Sequence, residues 1–174
     1  WVARPGTKPE SWNFVAGCLP ASPGCRNCYA MRDSWRIVNA PKHPERYDGV
    51  VEKVGGRVRW TGKVNIDVDA LTVPLRWRKE RTVFVASMSD LFHPSVPDEF
   101  IQGVWRTMAL TPQHTYQVLT KRADRMRRWL TQHPSGGRPQ KFVHNGQIVS
   151  VDGEPVPWPL PNVWIGVTAE NQRM

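Results

Sequence analysis

Residues Thr82–Thr120 read TVFVASMSDLFHPSVPDEFIQGVWRTMALTPQHTYQVLT, and this stretch decides the fold class. It opens on Thr82-Val83-Phe84-Val85-Ala86-Ser87 and closes on Thr115-Tyr116-Gln117-Val118-Leu119-Thr120, two runs rich in apolar and β-branched residues. Nearly continuous runs of this kind fit strands covered on both faces, as in a parallel sheet. Between them the spacing predicts a helix over Pro97–Leu110. Pro97 suits a first turn, Asp98 and Glu99 favour the positive end of the helix, and Phe100, Ile101, Val104, Trp105 and Met108 share an apolar face. Strand, helix, strand is the building unit of an α/β protein, and its crossover is right-handed.

The pattern extends outward. Further apolar runs stand at Trp12–Ala16 and Val163–Thr168. Helices are expected at Cys28–Val38, at Val68–Lys79 (weakened by Pro74) and at Ala123–Gln132, which Pro134 and Gly136-Gly137 stop. Two hairpins are expected: Val51–Val54 with Val58–Trp60 about Gly55-Gly56, and Phe142-Val143 with Ile148-Val149 about Asn145-Gly146. The prolines of Pro155–Pro161 dictate an extended connection. The whole reads as a single α/β domain over residues 1–174 with small antiparallel insertions.

Composition bounds the function. A hydrophobic content of 40% belongs to a chain that folds. No stretch approaches the roughly 20 apolar residues of a membrane span, and Trp1–Gly6 lacks the apolar core of a signal peptide. The expectation is a soluble, cytoplasmic protein with no membrane partner. The net charge of +9 favours acidic partners, nucleic acid the commonest; a basic surface that binds nothing is the alternative.

The chemistry lies in the three cysteines, all within Gly17-Cys18-Leu19-Pro20-Ala21-Ser22-Pro23-Gly24-Cys25-Arg26-Asn27-Cys28-Tyr29-Ala30. An odd number cannot pair completely into disulfides, and clustering points to thiolate chemistry in a reducing compartment. Pro20, Pro23 and Gly24 make a loop that follows a strand and leads into a helix, where α/β folds place ligands. Cys18, Cys25 and Cys28 can hold a 4Fe–4S cluster with one iron left open, whereas an electron-transfer cluster has four cysteines. An open iron can take the amino and carboxylate groups of S-adenosylmethionine, and an electron from the cluster then splits the sulfonium to a 5′-deoxyadenosyl radical. The alternatives are a zinc site with His93 or His114 as fourth ligand, neither at zinc-finger spacing, or three unligated thiols.

Polar clusters stand at three strand ends: Ser87-Met88-Ser89-Asp90, Thr120-Lys121-Arg122, and Thr168 with Glu170 and Asn171. Together they suit a cofactor pocket. Alternatively they cap the next helices, Asp90 or Ser95 serving the helix at Pro97. Basic residues gather at Lys121, Arg122, Arg125, Arg127, Arg128, Arg138 and Lys141, against Asp124. Arg122, Arg125 and Arg128 fall at one-turn spacing, which makes Lys121, Arg122, Arg125 and Arg128 a candidate nucleic-acid surface, or else a solvated helix face. No Walker loop, dinucleotide fingerprint or Ser-His-Asp arrangement stands out.

Several separated pieces carry a family resemblance: Trp12-Asn13 through Cys28-Tyr29-Ala30, Trp60-Thr61-Gly62-Lys63-Val64, Pro74-Leu75-Arg76-Trp77-Arg78, Phe84–His93, Val96–Ile101, His114–Arg122 and Pro161–Gln172. In order they cover nearly the whole chain. It resembles the phage and prophage family named after gene products thirty-seven and sixty-eight, a three-cysteine-motif family of unknown function. That family looks like a divergent branch of the radical S-adenosylmethionine superfamily, and Cys28-Tyr29-Ala30 is also similar to the lyases that repair spore photoproduct in DNA. The resemblance implies a partial parallel (β/α) barrel of radical S-adenosylmethionine type. It implies S-adenosylmethionine contacts from Ser87, Ser89 and Asp90 to the methionyl amino group, and from Thr168 and Glu170 to the ribose. It also implies a three-Cys-motif partner protein. The superfamily motif has three residues in its first gap where this chain has six; the second gap of two matches. Members of that family continue past the equivalent of Asn171-Gln172. The chain is therefore expected to be a truncated or split form, or the amino-terminal part of a longer barrel. The competing expectation is a zinc-stabilised nucleic-acid-binding module without catalysis.

Overall fold

The computed structural model describes residues 3–133, 142–144, 147–149 and 159–168. Its frame is a four-stranded sheet formed by β1 (Lys8–Trp12), β6 (Arg81–Val85), β7 (Thr115–Thr120) and β10 (Val163–Val167) in that spatial order, every neighbouring pair parallel. The remaining strands form three antiparallel pairs: β2 (Val15–Ala16) with β5 (Asn65–Ile66), the hairpin β3 (Val51–Val54) with β4 (Arg57–Trp60), and β8 (Phe142–His144) with β9 (Gln147–Val149). The described residues also form three α-helices: α1 (Tyr29–Val38), α2 (Asp98–Leu110) and α3 (Ala123–Gln132). The mixed α/β class, the parallel sheet and both hairpins agree with the sequence. The turn at Asn145-Gly146 and residues Arg138, Lys141, Glu170 and Asn171 lie outside the described residues.

The central strands β6 and β7 bury one apolar face, while Thr82, Thr115 and Gln117 are covered on the other. Val83, Val85, Tyr116 and Val118 are almost fully covered. Removing an aliphatic side chain of this size from water stabilises the fold by about 1.5–3 kcal/mol. The apolar face of α2 closes over the sheet as expected, with Phe100, Ile101, Val104, Trp105 and Met108 all buried. Trp105 and Trp129 of α3 pack with ring centroids 4.8 Å apart, which seats α3 against α2.

Three expectations are corrected. The first parallel strand is not Trp12–Ala16 but Lys8–Trp12, a polar segment that can serve because it lies at the sheet edge. Phe14, Val15 and Ala16 instead turn into the core with no exposure. Val68–Lys79 does not form an α-helix: the chain makes 3-10 turns over Asp69–Arg76, with Pro74 inside, since proline cannot donate the i→i−4 bond. The run forming β10 suggests cover on both faces, yet Trp164, Ile165 and Val167 are exposed among the described residues.

A second apolar cluster, smaller than the main core, seats the segment that carries the cysteines. Ala16, Ala30, Tyr47, Val50, Val51 and Met88 are buried in it, and Cys28, Met31, Trp35 and Trp60 pack against it. Gly17 makes the turn from β2 into the cysteine loop at φ +91°, and a Cβ there would overlap the Lys63 carbonyl oxygen. Gly17→Ala is therefore expected to cost about 3 kcal/mol, from a disfavoured backbone conformation and a backbone overlap together. Urea unfolding of the variant checks this; a loss under about 0.5 kcal/mol would mean the loop does not pass Lys63 this closely.

Candidate metal and cofactor centre

The parallel registers align the carboxyl ends of the four sheet strands, and the chain leaves each end carrying polar groups. One cavity of about 340 Å³ opens there, a size usual for small-molecule sites. Cys18, Cys25 and Cys28 all line it. So do Ser87, Ser89 and Asp90 after β6, Thr120 at the end of β7 with Lys121 and Arg122 after it, and Thr168 after β10. The sequence-derived cysteine set and the described part of the cofactor set thus share one wall-to-wall space. Glu170 lies outside the described residues.

The loop holds its thiols by local bonds. Cys18–Ala21 have no regular structure, and Pro23–Asn27 form a 3-10 turn. The Ala21 N–H donates to Cys25 Sγ at 3.4 Å, and the Ser22 hydroxyl lies 3.5 Å from the same sulfur. The Cys18 thiol donates to the Leu19 carbonyl at 3.3 Å. All three cysteines are half-buried and unpaired. Burial pushes the Cys18 thiol up to about 11; the Arg122 guanidinium works against this and the Asp90 carboxylate adds to it. At Cys25 burial also raises the pKa, but hydrogen bonds from Ser22 and the Ala21 N–H, with the charge of Lys121, outweigh it and hold the thiol below its usual range.

Among the described residues no three His, Cys, Asp or Glu side chains converge tightly enough to hold a metal ion. The thiols line one cavity without meeting at a point. The donor types are those a thiolate-bound group uses: three sulfurs from one short segment line a space of ligand size, and at Cys25 the sulfur already accepts a hydrogen bond from the Ala21 N–H. Among the described residues no histidine lines this cavity, as a zinc site would need. His114 precedes β7 at its amino end, a strand length of roughly 20 Å from the cavity. His93 is fully buried, its Nδ1 accepts the Ser95 N–H at 3.1 Å, and it does not line the cavity.

Asp90 lines the cavity, and a network of hydrogen bonds holds it there. It does not cap α2, whose N-cap is Pro97 without a side-chain bond. Its carboxylate, almost fully buried, accepts the Phe92 N–H at 2.9 Å and the Thr120 hydroxyl at 2.7 Å on Oδ1. Oδ2 accepts the Lys121 N–H and Arg122 Nη1, each at 3.2 Å. Arg122 Nη2 then donates to the Leu19 carbonyl at 2.9 Å, beside Cys18. Asp90 and Arg122 therefore form a strut from β7 to the cysteine loop.

The expected basic residues Lys121, Arg122, Arg125 and Arg128 all line one groove, but in different roles. Arg122 belongs to that strut. Arg125 turns inward, donating to the carbonyls of His93 and Val96 and pairing with Asp98 at 2.8 Å. Arg127 and Arg128 are exposed. The stripe at one-turn spacing is thus split: two arginines hold the loop after β6 and the cysteine loop, and the remainder face solvent.

Sequence reasoning missed several residues that line the cavity or support its wall. Asn13 Oδ1 accepts the Ser87 hydroxyl and the Met88 N–H, both at 3.1 Å. The Tyr29 hydroxyl donates to the Ser87 carbonyl at 2.7 Å. Ala86 adopts φ +55°, an unusual conformation for a residue with a Cβ, directly after β6. Trp60 reaches the cavity from the hairpin. The signals in the sequence were the adjacency of Tyr29 to Cys28 and the place of Asn13, Trp60 and Ala86 within the segments that carry the family resemblance.

A family model described as "Protein of unknown function (DUF5131)" matches residues 7–174. The chain belongs to the DUF5131 family. No curated protein and no solved structure matches this DUF5131 chain. No helix among the described residues of the DUF5131 chain is long and apolar enough to cross a membrane.

Proposed function

We propose that this DUF5131 chain is a radical S-adenosylmethionine enzyme, or part of one, in which Cys18, Cys25 and Cys28 hold a 4Fe–4S cluster. One observation carries the reading: the three cysteines share a single cavity with the polar ends of three parallel strands. The parallel sheet supports a partial (β/α) barrel of radical S-adenosylmethionine type, and the resemblance to the phage three-cysteine-motif family points the same way. When bound, a cluster with one iron free of protein ligands supplies the electron that cleaves S-adenosylmethionine to a carbon radical.

The chain's own part is positioning. Ser87, Ser89 and Thr168 would meet the cofactor's polar groups from the ends of β6 and β10. Asn13 and Tyr29 lock the turn bearing Ser87 from two sides, so that this edge is preorganised before a ligand arrives. Asp90 and Arg122 hold the cysteine loop at Leu19. Phe84, Leu119 and Trp60 make an apolar remainder of the wall that limits water.

Anaerobic purification followed by iron, sulfide and zinc analysis tests the reading. The expected result is a brown protein with about four irons and four sulfides per chain. Colourless protein with one tightly held zinc would overturn it in favour of a zinc-stabilised binding module. Cys25→Ala is expected to remove most of the iron, because two thiolates rarely hold such a cluster.

A further inference from the structure

We infer that the substrate brought to the cysteine cavity is a phosphodiester strand, gripped by cationic side chains on both sides of that cavity. The inference rests on reading the cavity as the reaction site. On one side, Arg26 is exposed between Cys25 and Cys28, and Arg32 is exposed one turn into α1. Arg32 follows Tyr29 by three residues and so shares its helix face. Tyr29 itself lines the cavity with about half of its surface exposed. Neither Arg26 nor Arg32 enters an ion pair among the described residues.

On the other side, a groove of about 670 Å³ runs along α3 and reaches Ala21 of the cysteine loop. Lys121 lines both this groove and the cavity, so the two spaces adjoin. Arg128, exposed, lines the groove one to two turns further on. Arg122 and Arg125 add charge to its wall, though Asp90 and Asp98 offset them, and Asp124 opposes the rest. A mononucleotide would need only one of these sides. A strand uses both, with phosphates on the two cationic margins and a base free to lie on the Tyr29 ring between them. The net charge of +9 supplies the long-range attraction.

The test is a salt titration of fluorescent single-stranded oligonucleotide binding to the full chain. Arg32→Glu with Arg128→Glu is compared with Arg78→Glu with Lys79→Glu. The second pair carries the same charge change on exposed residues before β6, at the opposite end of the sheet. The cavity-side pair is expected to lose at least tenfold affinity and to flatten the log–log salt slope by about 1.4, roughly 0.7 for each phosphate no longer neutralised. The distal pair is expected to lose less than threefold. Equal losses in the two pairs would assign binding to overall charge and overturn the inference. So would negligible binding at low salt, or a mononucleotide that competes as well as the strand. Iron content, measured on the same preparations, reports separately on the cluster, so failure of either reading is seen on its own.

Discussion

Asp90→Ala is expected to destabilise the protein by about 3–5 kcal/mol, the cost of leaving a buried cation without its partner. The carboxylate is 7% exposed, and Arg122, its partner at 3.2 Å, is 13% exposed. Removal strands more than the guanidinium. The Thr120 hydroxyl and the N–H groups of Phe92 and Lys121 also lose their acceptor in a space with little water. A residue that only met a ligand in the cavity would behave otherwise, its loss changing unfolding by about 0.5 kcal/mol or less. Urea unfolding of the variant decides between the roles. The double variant Asp90→Ala with Arg122→Met sharpens the test. With both charges gone no ion is stranded, so the pair should be more stable than Asp90→Ala alone. Additive losses would mean that the two residues act independently and that no strut joins β7 to the cysteine loop.

This strut marks the limit of what the sequence discloses. β6, α2, β7 and α3 could be read within a residue or two because each is a local pattern. Phe100, Ile101, Val104, Trp105 and Met108 repeat at helical spacing, and Thr115–Thr120 is short, apolar and bounded by turn residues. β1 could not be read, because Lys8-Pro9-Glu10-Ser11 shows no apolar alternation and becomes a strand only through its partner β6. The location of the cavity was legible from three cysteines after a strand and polar groups at strand ends. Its supports were not. Arg122 reaches Leu19 across 103 residues and Ser87 reaches Asn13 across 74, and no local periodicity encodes such bonds. The same long-range bonds explain why the arginine stripe is not one uniform solvent face. Helical spacing puts Arg122, Arg125 and Arg128 on one side of the chain, but the carbonyls of His93 and Val96 and the carboxylates of Asp90 and Asp98 draw the first two inward.

In the metal-free chain at pH 8, Cys25 is expected to be alkylated at least about tenfold faster than Cys18. Only the thiolate attacks, and a pKa of about 11 leaves Cys18 with about 100-fold less thiolate than an ordinary thiol with the reference value of 9.0. The more basic thiolate is the better nucleophile, and a Brønsted coefficient of about 0.4–0.5 returns roughly a factor of ten. Cys25 moves the other way, since its hydrogen bonds from Ser22 and Ala21 and the nearby Lys121 favour the anion. The pH dependence has a definite sign. A raised thiol pKa means that the reactive form is gained as pH rises toward 11, so the Cys18 rate keeps climbing between pH 8 and 10 while the Cys25 rate levels off sooner. Timed iodoacetamide labelling with mass mapping of the peptide from Gly17 to Arg32 measures both. Equal rates across that range would show that Cys18 does not sit in the buried place beside Asp90 and Arg122. Anaerobic reconstitution with iron and sulfide then connects these thiols to the proposed centre. If Cys18, Cys25 and Cys28 are all ligands, all three become protected together and the difference between Cys18 and Cys25 disappears. Protection of two, with the third still reacting at its metal-free rate, would remove that third cysteine from the ligand set, and with it the three-thiolate, one-open-iron arrangement on which cofactor cleavage depends.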